Sequence, residues 1–157
     1  MRAFAIFLLV CACALAQDHH HAPDAETTVD LAKLPKPVSM EGIGHSHIDV
    51  TTKSPEAQRW FDQGLALLHC FWDYEALRAF AEAVHLDPDC AMCHWDIARA
   101  LTSRGGNEDP AKAELAHAKD LSAKASDREQ RYIRAYAESE DKEGDEAATR
   151  SRKRWRR

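Results

Sequence analysis

The sequence predicts an all-α fold of antiparallel helix pairs, and three observations predict it. Trp60, Gly64, Ala76, Phe80, Ala83 and Pro88 stand at the spacing of two closely crossed helices. Small residues lie where the backbones approach, rings where space must be filled, and a proline where the second helix stops. Ser54-Pro55-Glu56 supplies an N-cap, a proline at the first helical position and an acid in the first turn. Nothing in the chain reads as a strand.

The elements follow in order. Residues 1–16 carry one basic residue, Arg2, then an apolar stretch and the small-x-small site Ala14-Leu15-Ala16. This predicts a secretory signal peptide cleaved after Ala16, and hence an exported, periplasmic or secreted product. The stretch is shorter than the about 20 residues a membrane helix needs, so no integral membrane segment is expected after cleavage. Cleavage removes one positive charge and takes the net charge from -5 to -6, which argues against a nucleic-acid partner. Of the five cysteines, Cys70, Cys90 and Cys93 stay with the mature chain.

Residues 17–53 hold three adjacent histidines, Pro23, Pro35, Pro37, Gly42 and Gly44 without a sustained apolar period, the composition of an extended leader or linker. The helical domain is expected over residues 54–137. Its first helix runs to about Cys70 and its second from about Asp73 to Leu86, with Ala76, Leu77, Phe80, Ala83 and Val84 on one face. Asp89 is the expected cap of the third helix, whose stripe is Cys93, Ile97, Ala98 and Leu101. Arg104-Gly105-Gly106-Asn107 breaks that helix, and Ala111, Leu115 and Ala118 mark a fourth. Ser126-Asp127-Arg128-Glu129 is a capping box opening a fifth, with Tyr132, Ile133 and Tyr136 as its stripe. Residues 138–157, acidic and then basic, are expected to form a disordered tail.

The Trp60-to-Pro88 spacing resembles a tetratricopeptide repeat, with Gln63 and Leu67 standing where that motif prefers leucine and tyrosine. Two repeats and one further helix fit the chain. Ser54-Pro55-Glu56-Ala57-Gln58 and Asp87-Pro88-Asp89-Cys90-Ala91-Met92 are similar to the openings of the first two repeats in a group of exported bacterial tetratricopeptide proteins. That resemblance implies a repeat solenoid that continues beyond this chain, a truncated member of the group, and a scaffold able to self-associate. It also implies a concave groove formed by the first helix of each pair. Carried over position by position, the groove comprises Gln58, Phe61, Leu65, Leu68 and His69, then Met92, Trp95 and Arg99. Aromatic anchors and an arginine fork suit a protein or peptide partner; alternatively, Phe61 and Trp95 pack against the N-terminal segment or a further repeat.

Three further constellations carry chemistry. Cys90-Ala91-Met92-Cys93-His94 has the Cys-x-x-Cys-His spacing of c-type haem attachment, with two thioethers and an axial imidazole. Alternatively, His94 is a ring packed between helices where Trp60 sits in the first repeat. The same Cys90 and Cys93 could act as a redox dithiol or form an inert disulfide. Signal cleavage would expose Gln17-Asp18-His19, whose amine, two amides and His19 imidazole form a square-planar set for Cu(II) or Ni(II). No nucleotide-binding glycine loop and no Ser-His-Asp arrangement is present. The expectation is therefore a non-enzymatic binding scaffold, with haem-dependent electron transfer and thiol-disulfide chemistry as alternatives.

Overall fold

A computed structural model describes residues 29–154. The expected export signal and the His19 metal site lie outside the described residues. Within them the fold is all-helical: α1 (Pro55–His69), α2 (Asp73–Leu86), α3 (Ala91–Arg104), α4 (Glu108–Leu121) and α5 (Asp127–Arg154), with no strand. Consecutive helices α1 to α4 pack side by side, and α5 lies against α3 and α4.

The first helix starts as its sequence dictates. Ser54 Oγ accepts the Ala57 N–H at 3.1 Å, Pro55 fills the first helical position, and Glu56 faces the positive end of the dipole. Residues 70–72 then turn the chain back, with Phe71 at φ 60, a left-handed conformation that costs a side-chain-bearing residue about 1–2 kcal/mol. Where α1 crosses α2, a Cβ on Gly64 would sit 2.6 Å from the Phe80 ring, so only glycine allows this approach. Phe61 and Phe80 fill the crossing with ring centroids 5.6 Å apart, and both are fully buried. Each such ring contributes about 1.5–3 kcal/mol of burial.

Helix α3 is the centre of the molecule, with Ala91 to Ala98 buried in succession. Its first eight residues are enclosed by the neighbouring helices, and its exposed polar residues, Thr102, Ser103 and Arg104, gather at the C-terminal end. Its cap is Cys90 and not Asp89: the Cys90 sulfur accepts the Cys93 N–H at 3.2 Å. Asp89 instead lies outside the helix, its N–H bonded to Asp87. Gly105 and Gly106, at φ 71 and 65, make the corner into α4, which presents Ala111, Leu115 and Ala118 to the core.

The capping box closes α5 as its sequence pattern requires, with Glu129 Oε2 accepting from the Ser126 N–H at 2.7 Å and Ser126 Oγ at 2.6 Å. The helix does not stop near Ala137 but runs through the acidic stretch to Arg154. Glu, Ala, Lys and Arg are strong helix formers, and Gly144 is the only residue there that opposes helix.

Residues 29–53 are mostly extended, with a short turn at Leu31–Lys33 and a bend at 41–43 where Gly42 and Gly44 take positive φ, yet they are not a free linker. They form a strap across the helices. Val29 N–H bonds Asn107 at the α3–α4 corner, Arg78 of α2 donates to Pro35 and Lys36 carbonyls, and Thr52 and Lys53 bond Asp87. Val29, Leu31, Leu34, Met40, Ile43 and Ile48 pack against the core.

Candidate functional site

The strap meets α1 through two glutamine side chains. Gln63 donates from Nε2 to the Val38 carbonyl at 2.9 Å and accepts the Met40 N–H on Oε1 at 3.0 Å. Gln58 repeats the arrangement, donating to the Ile48 carbonyl at 2.9 Å and accepting the Val50 N–H at 3.0 Å. In extended backbone the C=O of one residue and the N–H two residues later point the same way, so one carboxamide satisfies both as a neighbouring strand would. Each contact reads main chain and not side chain. Asp62 Oδ1 accepts a further bond from Gln58 Nε2 at 2.9 Å, fixing that amide's orientation.

Between the two clamps the contacts become polar. His47 lies between Asp62 and Asp49, at 2.8 and 3.0 Å. Those carboxylates, Asp62 first, hold its imidazole above the usual histidine range. Ser46 Oγ is 3.1 Å from His69 Nδ1. Met40, Ile43, Arg59, Asp62 and Ala66 line an open cleft beneath this part of the strap.

The eight residues expected in the groove separate into two groups. Gln58 and His69 contact the strap, and Arg99 is half-exposed. Phe61, Leu65, Leu68, Met92 and Trp95 are buried in the chain's own core. Trp95 is covered by Tyr132 and Tyr136 of α5, at centroid distances of 5.8 and 5.9 Å, and the Arg99 guanidinium lies 4.7 Å above its ring. Next to it, Asp96 is fully buried with Oδ1 on Arg99 at 2.7 Å. Burial pushes its carboxyl up to about 7 against the opposing pull of Arg99. Asp96 Oδ2 and Trp95 Nε1 have no hydrogen-bond partner.

Cys90 and Cys93 form a disulfide that is inaccessible to solvent. His94 follows with Nδ1 at 2.6 Å from Glu114 and Nε2 at 3.2 Å from the Pro88 carbonyl. The two sulfurs of the Cys-x-x-Cys-His pattern are thus joined to each other, and both nitrogens of His94 face acceptors. Burial lowers the His94 pKa, but the hydrogen bond and charge of Glu114 outweigh it, with the Pro88 carbonyl adding, so the group is held above its ordinary value.

Two exposed aromatic residues stand apart from all of this. Phe71 and Trp72, 88% and 55% exposed, project from the α1–α2 turn beside the free thiol of Cys70.

The sequence reading missed Gln63 and Glu114. Gln63 was signalled by its place at a position where the repeat motif prefers leucine. Glu114 was signalled by Glu114-x-x-His117, a helical spacing that puts both side chains on one face. Comparison with models of known protein families, with curated proteins and with solved structures finds no match.

Proposed function

We propose that this protein is a non-enzymatic, exported scaffold of tetratricopeptide-like helix pairs that binds an extended protein or peptide segment. The observation that carries the reading is the pair of glutamine clamps, Gln58 and Gln63, each holding a C=O and the N–H two residues on. Main-chain recognition of this kind gives affinity for an extended segment whatever its sequence, and flanking pockets supply selectivity. Here the segment is the chain's own strap. A partner peptide that uses the same surface replaces residues 38–50.

The test is a random peptide library panned on the full chain, with Kd of the enriched peptides measured by fluorescence anisotropy. N-methylating the two backbone amides of an enriched peptide that meet the clamps leaves the strap untouched and should weaken binding by roughly tenfold or more, since each hydrogen bond lost is worth about 1 kcal/mol. Hydrogen exchange at residues 38–50 should rise when the peptide binds, because the strap is displaced. Peptides that bind equally well with those amides methylated, or a library that enriches nothing, would overturn the proposal.

A further inference from the structure

His94 of α3 and Glu114 and His117 of α4 each bring one ligand atom into a group spanning no more than 4.8 Å. The His94 and His117 rings meet edge-on with centroids 5.5 Å apart. We propose that these three residues form a site for a divalent first-row transition metal, Zn(II) above all, that ties α3 to α4.

The hydrogen-bond geometry at His94 makes the case. Its Nε2 faces the Pro88 carbonyl and its Nδ1 faces the Glu114 carboxylate, and both partners are acceptors. A neutral imidazole has one N–H and can serve only one of them. Either a proton sits on Nδ1, or a metal cation takes that proton's place between Nδ1 and the carboxylate. In the second case Nε2–H continues to donate to Pro88. That is the outer contact a metal-bound histidine needs to fix its ring orientation and tautomer.

The donor set sorts the candidate ions. Two imidazoles and one carboxylate suit zinc and its neighbours, whereas calcium and magnesium prefer oxygen alone. Zinc at about 2.0–2.1 Å from each ligand places neighbouring ligand atoms about 3.3 Å apart. The 2.6 Å His94–Glu114 contact must therefore open by less than about 1 Å, within the reach of a glutamate side chain. His94 is buried, Glu114 half-buried and His117 exposed, so a fourth position faces solvent and is open to water. The two nearest sulfurs are joined in the Cys90–Cys93 disulfide and do not compete.

Calorimetric titration of the oxidised full chain with Zn(II), beside Glu114→Gln and His117→Ala, tests the site. Other histidines, His45 and His47 among them, can add metal equivalents, and these are common to all three proteins. The expected result is one equivalent present in the parent and lost, or weakened roughly 10–100-fold, in both variants. Co(II) should give visible bands of a four- or five-coordinate nitrogen-oxygen site in the parent, absent from both variants and free of any sulfur-to-metal band. His117→Ala is the decisive variant if Glu114→Gln fails to fold, because His117 is exposed. Equal stoichiometry and affinity in the parent and His117→Ala, or one Co(II) spectrum for both, would overturn the proposal.

Discussion

Thr51 and Glu129 are 78 positions apart in the chain and share two hydrogen bonds, from the Thr51 N–H at 2.7 Å and from its Oγ1 at 2.5 Å. The same carboxylate closes the capping box of α5 on Ser126. One buried glutamate thus ends the strap and starts the last helix, and both depend on its charge.

Glu129→Ala should therefore cost more than an ordinary cap. Loss of hydrogen bonds to a buried carboxylate and of the helix cap predicts roughly 2–4 kcal/mol. Thr51→Val, which removes only the Oγ1 donor, should cost about 1–2 kcal/mol. Urea unfolding of the full chain measures both, and equal costs for the two variants would refute the shared role.

Acid should release the strap. Burial alone would raise the Glu129 pKa, but bonds from Ser126 and Thr51 outweigh it and hold it below the usual carboxylate range. Asp87 behaves likewise, with Thr52 and the Lys53 and Asp89 N–H groups overcoming its burial. A carboxyl depressed in the folded state binds fewer protons there than in the unfolded chain. Its stabilisation is complete above the unfolded pKa, near 4, and is lost as pH falls through the lower folded value. Hydrogen exchange at Thr51 and Lys53 should accelerate relative to the core below about pH 4, and Glu129→Gln should flatten that dependence.

Gly64→Ala should destabilise the α1–α2 crossing. The new Cβ would meet three atoms of the Phe80 ring at 2.6, 2.7 and 2.9 Å, and the ring cannot retreat within a packed core. Thermal melting should report a loss of roughly 1–3 kcal/mol. A second change, Phe80→Leu, should recover part of it by making room.

Phe71→Gly should stabilise the fold or leave it unchanged. The left-handed conformation costs phenylalanine about 1–2 kcal/mol, against about 0.4–1 kcal/mol for the added freedom of glycine in the unfolded chain. With the ring 88% exposed, there is no packing to lose. A clear drop in melting temperature would mean that the ring makes a stabilising contact despite its exposure.

The helices were legible because their signals are local. Ser54, Pro55, Gly64, Phe80, Pro88 and the Ser126–Glu129 box act within a few residues of themselves, and periodicity reports them faithfully. The strap was not legible, because what holds residues 29–53 lies on distant helices: Asn107, Arg78, Gln63, Gln58, Asp87 and Glu129. A segment without periodicity reads as a linker when its hydrogen-bond partners are far along the chain. The burial of Phe61 and Trp95 has the same origin, since their covers, α2 for one and α5 for the other, are set by packing. Cys90 as the α3 cap was hidden by a stronger rule, the preference for aspartate, which here lost to the geometry of the adjacent Cys93 N–H.

The two ends of the strap have a kinetic consequence. Val29 reaches Asn107 and Thr51 reaches Glu129 over the same separation, 78 residues, so each closes a loop of equal size. Helix pairs with neighbouring partners form quickly, whereas a long loop must lose its entropy before any contact rewards it. Once the helices have assembled, Asn107 and Glu129 stand in one folded body to which the strap is tethered at Pro55, so both ends of the strap dock on a template already formed. Refolding should accordingly show a fast phase in which the helices assemble and a slower, single phase in which the strap docks as one unit. Variants at Asn107 and at Glu129 should slow that second phase alike.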